Sequence, residues 1–223
     1  MNSGTYNNQW VIVDLKLFEA MKPLKKGLLT VLEQIPTLII SSDLTHVLKS
    51  QTYWPSYNSP YYKRIFNLSG DQENVDKHGD WFSYERSPRA LIFKRDQGKV
   101  VDMESMIKLM RYNNYKHDPL SRCNCTPPYS GENAISARSD LNPKNGSYAF
   151  PALGHRDHSA TDVKLTNSEM AKDLEFVAIA GPPHDQVPAF QWTKSDYRKT
   201  KSHLGHPDLW AFPPIRTGWS VNH

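Results

Sequence analysis

Apolar positions fall in short blocks along this chain, and each block predicts a local element. Gln9-Trp10-Val11-Ile12-Val13-Asp14-Leu15 is rich in β-branched residues and predicts a strand. Leu28-Leu29-Thr30-Val31-Leu32 and Thr37-Leu38-Ile39-Ile40 predict a strand pair, or one long strand over 27–40. Pro36 argues against a single uninterrupted central strand, because proline has no N–H for the ladder. The link over 19–26 is short, polar and contains Pro23. Together these runs predict an antiparallel hairpin buried on both faces, which other layers must cover.

Helical signals come next. Ser42-Asp43 is placed to cap a helix ending near Lys49. Residues 60–68 read as a short helix with Tyr61, Ile65 and Leu68 on one side. Asp102 precedes the clearest helix, where Met103, Met106, Ile107 and Met110 recur at i, i+3, i+4 and i+7. Such a methionine stripe reads as core ahead of a binding groove. Residues 116–156 hold turn formers and almost no periodicity, so an extended ordered loop is expected; that length usually means function or cover for a surface. Ser168 is expected to cap a last helix over 169–180, stopped by Gly181-Pro182-Pro183. In the tail, Phe190, Trp192, Trp210, Phe212 and Trp219 are expected to clamp onto the body. The fold class is α+β. The expected organisation is a sheet and helix core over 1–115, a long loop over 116–160, and a helix with an aromatic tail over 161–223.

Composition narrows the class. The 223 residues suit one sizeable domain or two small ones. The 6 Trp, 11 Tyr and 8 Phe need a core or a partner surface. The formal charge of +4 is spread among acids without a Lys/Arg block, which argues against nucleic acid as a partner. No apolar run approaches the ~20 residues of a membrane span. Met1 is followed by polar Asn2-Ser3-Gly4, with no signal-like apolar stretch. Yet Asn67, Asn124 and Asn145 head glycosylation sequons, and Cys123 and Cys125 flank one residue. The cysteine pair fits two free thiols or one tight bridge. The features hint at a secreted or lumenal protein whose native N-terminus is absent.

Three stretches can carry chemistry. Asn2-Ser3-Gly4-Thr5-Tyr6-Asn7-Asn8-Gln9 offers side-chain amides for a developing oxyanion, or simply a turn. Arg89, between Pro88 and Ala90-Leu91-Ile92-Phe93, sits between surface and core; it can orient a polar substrate or serve a structural salt bridge. In the block over 131–143, Arg138 and Asp140 can pair and pin the long loop. The histidine pairs His155/His158 and His203/His206 lie in loop sequence, and two cysteines one residue apart make no zinc centre by themselves, so no metal or cofactor is expected. There is no nucleophile elbow and no phosphate loop.

Several blocks together carry a resemblance. They are Met1-Asn2-Ser3-Gly4-Thr5-Tyr6-Asn7-Asn8-Gln9, Glu33-Gln34-Ile35-Pro36, Tyr53-Trp54-Pro55-Ser56-Tyr57-Asn58, Ser87-Pro88-Arg89-Ala90 with Ile92-Phe93 and Arg95, Met110-Arg111-Tyr112-Asn113, and Asn133 through Pro143. From residue 1 to about 215 the chain resembles the phospholipase B-like family, in its lysosomal branch, C-terminal part only. The resemblance implies a partial α-β-β-α sandwich of the N-terminal-nucleophile hydrolases. It also implies a lipid-like ester or amide substrate and a lysosomal or secreted location. In such enzymes a cysteine freed by internal cleavage attacks the carbonyl, with its own α-amino group as base. The resemblance begins after that position, so the nucleophile is expected in an N-terminal fragment of the same protein, and this chain alone is expected to be inactive. By a further likeness to choloylglycine hydrolases, Asn2 is expected as the oxyanion-hole amide, with Asn7 and Asn8 as alternates, and Arg89 as the active-site guanidinium. The rival expectation is a non-catalytic lumenal lipid- or glycan-binding protein.

Overall fold

A computed structural model describes residues 7–218, which divide into two compact units at residue 90. Helix and strand are mixed in each, as an α+β chain requires.

In the first unit, β1 (Asn8–Val13), β2 (Leu29–Ile35) and β3 (Leu38–Asp43) form an antiparallel sheet in the order β1-β2-β3. The turn falls at Pro36-Thr37, where the missing proline N–H costs no ladder bond; Thr37 takes a positive φ of 73°. Trp10 lies opposite Leu32, Val11 opposite Val31, and Leu32 opposite Ser41. Helices α1 (Thr45–Gln51), α2 (Lys63–Leu68) and α3 (Asp71–His78) follow. Leu29 and Val31 pack with Leu44 against Val47, Leu48, Trp54, Tyr61 and Tyr62.

One polar knot fixes the α1 entry. Thr45 Oγ1 accepts from Leu29 N and donates to Asp43 Oδ1 at 2.6 Å, while Asp43 Oδ2 accepts from Gly27 N at 2.8 Å. Those bonds hold the Asp43 carboxyl below its ordinary range. Gly27 has φ of 89°, which a side chain rarely adopts.

Two expectations fail in this unit. The hairpin is not buried on both faces. In β2, Leu29, Val31, Glu33 and Ile35 are buried and alternate with partly exposed residues, while Trp10, Val11, Ile12 and Val13 of the edge strand β1 are each 45–52% exposed. Leu68, expected to share one side with Tyr61 and Ile65, is 62% exposed where Ile65 is buried, because only Ile65 and Phe66 of α2 turn inward.

Helix α4 (Pro88–Asp96) carries the unit boundary. Beyond it, α5 (Met103–Met110) starts at Asp102, whose carboxylate accepts from Ser105 N at 2.8 Å while Ser105 Oγ faces Asp102 N, a reciprocal capping box. Ile92, Leu109 and Ile135 form the core here, packed against Phe93, Val100, Met106, Tyr112 and Leu120. The stretch after α5 has little regular structure: single 3₁₀ turns and the two-residue pair β4 (Cys125–Thr126) with β5 (Ser147–Tyr148). Then come β6 (Asp162–Leu165), β7 (Glu175–Ala180), β8 (Phe190–Gln191), β9 (Leu209–Trp210) and β10 (Ile215–Gly218). They pair antiparallel as β10-β7-β6 and β8-β9.

The helix expected over 169–180 is therefore a correction. Asn167 Oδ1 accepts from Glu169 N and Met170 N, starting a single 3₁₀ turn over Met170–Asp173. Leu174 then turns left-handed at φ of 56°, which breaks any helix, and Phe176-Val177-Ala178-Ile179 continues as strand.

The irregular stretch is held by buried polar groups. Arg138 is fully buried; it forks onto Asp140 at 2.8 and 2.9 Å and donates to the carbonyls of Pro183 and Pro188 at 2.7 and 2.8 Å. Asn142 Nδ2 donates to Ser130 Oγ and to the Leu153 and Gly154 carbonyls, while its Oδ1 accepts from Gly131 N. Asn113 Nδ2 donates to the Gly131 and Ser136 carbonyls. Arg111 reaches Asp185 and the carbonyls of Gly181 and Pro182. Buried Glu132 accepts from Ser139 Oγ and Arg156, and faces His158 Nδ1 at 3.1 Å. Gly131 must be glycine: a Cβ there would lie 2.3 Å from the Arg138 carbonyl oxygen.

Candidate functional site

A polar cleft of about 240 Å³ lies in the first unit, lined by Asn7, Asn8, Gln9, Glu33, Gln34, Ser56, Asn58, Ser59, Pro60 and Ile65. Its floor is built by strand register. Gln9 on β1 stands directly opposite Glu33 on β2, so their side chains share one face.

Glu33 is 2% exposed and sits on the apolar face of β2, between Val31 and Ile35. A buried carboxylate survives only if hydrogen bonds replace its water. Here Tyr61 N donates at 2.6 Å, Tyr62 N at 3.0 Å and Gln9 Nε2 at 2.5 Å. The two backbone donors lie where the chain enters α2. Because a carboxylate only accepts, the Glu33 contact fixes which end of the Gln9 amide is nitrogen. Gln9 Oε1 is then buried and without a partner. Asn8 Oδ1 accepts from Gln9 N at 2.9 Å, which leaves its nitrogen as the donor end.

Beside the cleft stands a cluster of rings. Tyr61 meets Trp54, Tyr62 and Tyr84 edge-on at centroid distances of 5.6, 5.4 and 5.5 Å. Tyr57 meets Tyr84 at 5.3 Å, and Tyr84 donates to the Pro55 carbonyl at 2.6 Å. Burial pushes the Tyr57, Tyr61 and Tyr84 hydroxyls above their ordinary range, so all three stay protonated. The arrangement supplies side-chain amides, those of Asn8, Gln9 and Gln34 on the strand pair, and one anchored carboxylate. Among the described residues that line the cleft there is no thiol and no imidazole.

Of the residues expected from sequence, Asn7 and Asn8 line this cleft. Asn2 and Trp219 lie outside the described residues. Arg89 is half-buried in the first turn of α4 and is not among the lining residues. Cys123 and Cys125 are bonded to each other. Arg138 and Asp140 form the pair read from sequence. The sequon residues Asn67, Asn124 and Asn145 are all exposed. Among the described residues, no cluster of His, Cys, Asp or Glu is arranged to hold a metal ion, and no helix is long and apolar enough to cross a membrane.

Sequence reasoning missed Glu33 as the buried acid of this cleft. The signal was present: Leu29, Val31, Glu33 and Ile35 share one side of a strand, and an acid on that side needs dedicated donors.

Comparison with known proteins adds the family. The sequence profile described as phospholipase B matches residues 1–217. Phospholipase B-like 1 of Caenorhabditis elegans is 54% identical over 223 residues, covering 98% of this chain and 39% of that protein. Phospholipase B-like 2 of Homo sapiens is 54% identical over 220 residues, covering 98% of this chain and 37% of that protein. The phospholipase B of Crotalus adamanteus is 45% identical over 212 residues, covering 95% of this chain and 35% of that protein. The chain thus spans less than two-fifths of the length of these relatives.

Proposed function

The chain belongs to the phospholipase B family, and on that premise we propose that it forms part of a hydrolase of lipid-type ester or amide bonds, built as a sandwich of the N-terminal-nucleophile type. The observation that carries this reading is the amide-lined cleft over Glu33. Asn8 on β1 and Gln34 on β2 bring side-chain amides to it from paired strands, which supports an acyl-transfer reading.

In this mechanism a cysteine thiol at a matured N-terminus attacks the acyl carbonyl carbon, and its α-amino group takes the thiol proton. That proton passes to the departing alcohol or amine as the tetrahedral intermediate collapses. Water then releases the acid and restores the thiol. The attacking group belongs to the part of the protein that this chain does not span, since Cys123 and Cys125 are tied to each other. The chain alone is accordingly inactive. Asn2 is assigned as the donor to the oxyanion, with Asn7 and Asn8 as alternates, and Arg89 as the guanidinium that orients the polar end of the substrate. Glu33 clamps Gln9, so that β1 presents its amides at a fixed height.

The partner of this chain is the remaining portion of the same protein, which supplies the nucleophile and pairs with the open edge of β1. A lysosomal or secreted glycoprotein fits the exposed sequon asparagines and the disulfide, which persists in oxidising compartments.

The test is turnover by the full-length protein on phospholipid and N-acyl amide substrates, with Asn2→Ala, Asn7→Ala and Asn8→Ala made singly. Loss of the true oxyanion donor lowers kcat by about 10²–10³ with little change in KM. Unchanged kcat in all three variants overturns the assignment. Absence of turnover by the unmodified protein supports instead a non-catalytic lumenal lipid- or glycan-binding protein.

A further inference from the structure

The second unit holds a cavity that the hydrolase reading does not use. It measures about 290 Å³ and is walled by the rings of Phe190, Trp192, Tyr197, Trp210 and His206. Asp140, Asp157, His158, Ser159, Thr161 and Lys201 stand at its polar side, although most of its lining surface is apolar. The strand pair β8-β9 builds it by setting Phe190 opposite Trp210. Neighbouring rings brace the wall: Trp192 meets Phe190 edge-on at 4.9 Å and stacks on His203 at 4.3 Å, and His206 meets Trp210 at 5.5 Å.

Two features define what fits. First, both carboxylates are already neutralised. Asp140 is forked by Arg138, and Asp157 pairs with Lys201 at 2.5 Å. The cavity therefore makes no demand for a charged ligand. Second, Trp192 Nε1, Trp210 Nε1 and the Tyr197 hydroxyl are buried and make no hydrogen bond. Having no exposed surface, they turn ring carbon rather than donors toward the cavity. A sugar needs hydrogen-bonding partners for its hydroxyls, and such a wall offers few. An uncharged hydrocarbon chain needs only ring faces and edges. The volume equals about ten groups of water size, at roughly 30 Å³ each, which suits a chain of about that many methylenes.

We propose that this aromatic cavity is a binding site for an acyl chain, separate in its residues from the amide-lined cleft. The proposal concerns binding only and stands whether or not the protein hydrolyses lipid.

The probe is 1-dodecanol, titrated into the full-length protein by calorimetry and by tryptophan fluorescence, with methyl β-glucoside as the comparison. The expected result is saturable dodecanol binding with a negative heat-capacity change, weaker for 1-hexanol and absent for the glucoside. Thr161→Trp fills the cavity from an exposed position without removing a core contact, and weakens dodecanol binding at least tenfold while circular dichroism and Tm hold. Should that variant fail to fold, Ser159→Phe makes the same test from a half-buried lining position. Absence of saturable dodecanol binding, undiminished binding in a folded filling variant, or preference for the glucoside overturns the proposal.

Discussion

Strand β1 and the stretch 130–142 invert the usual relation between regular structure and burial. β1 is a six-residue strand with full register on its neighbour, yet its four apolar residues are about half exposed. Residues 130–139 have almost no regular structure, and every one of them is buried. Loops normally stay at the surface because their backbone groups need water. Here Arg138, Asn113 and Asn142 take the place of water and satisfy the carbonyls and N–H groups around them. β1 has the opposite problem: an edge strand with apolar side chains and, among the described residues, one unpaired ladder edge. One region closes on itself by polar bonds, and the other leaves the edge on which the proposed partner portion would add. Oligomers or aggregates are therefore expected when the chain is expressed alone, and a monodisperse monomer with a sharp unfolding transition would show that it covers its own sheet.

The sharpest way to break the closed region is Arg138→Met. The variant leaves the mostly buried Asp140 without its fork and two carbonyls without donors, and is expected to lose about 3–5 kcal/mol in urea unfolding. A loss under about 1 kcal/mol would mean that the network contributes little.

In the open unit, Glu33→Ala removes the acceptor for the Tyr61 and Tyr62 N–H groups and for Gln9. It is expected to cost about 1–3 kcal/mol. Glu33→Gln, which keeps one acceptor oxygen, is expected to recover part of that in the same assay.

Acid probes the second unit through Asp96. Arg95 holds the Asp96 carboxyl below its ordinary range, assisted by Lys99. A carboxyl whose pKa is depressed in the folded state contributes stability that is present above the unfolded value, about 3.9, and is lost as pH falls through the folded value. Unfolding followed from pH 6 to pH 2 is expected to show loss beginning near pH 4, and Asp96→Asn is expected to flatten that limb.

The smallest effect belongs to the edge. Ile12→Thr in this chain alone changes stability by no more than about 0.5 kcal/mol, because Ile12 is already 52% exposed. In the full-length protein the same change is expected to cost more, since the proposed partner covers β1. Equal effects in both contexts would argue that nothing covers it.

How much of this was legible depended on whether the signal was local. β1, β2 and β3 were readable because β-branched runs and Pro36 fix strand and turn without distant help. Helix α5 was readable because Asp102 and the 3.6-residue stripe agree. The 169–180 segment was misread because Leu174 in a left-handed conformation carries no sequence mark, whereas a glycine would have. Ala90-Leu91-Ile92-Phe93 read only as an apolar run, although Pro88 opens α4 at its first position, where proline is welcome. The Arg138–Asp140 pair was visible at a separation of two, but the Pro183 and Pro188 carbonyls that complete it lie 45 and 50 residues away. Glu33 was visible as an oddity of pattern, while its donors at Tyr61 and Tyr62 were not.

Hydrogen exchange of the 1–223 chain tests the contrast most directly, comparing peptides over 8–13 and 130–142 in one sample. The account predicts that 130–142 exchanges only by large-scale opening, whereas 8–13 exchanges orders of magnitude faster through local opening of the exposed edge. Equal slow exchange in both peptides would contradict it, for β1 would then be closed within this chain and no partner strand would be required.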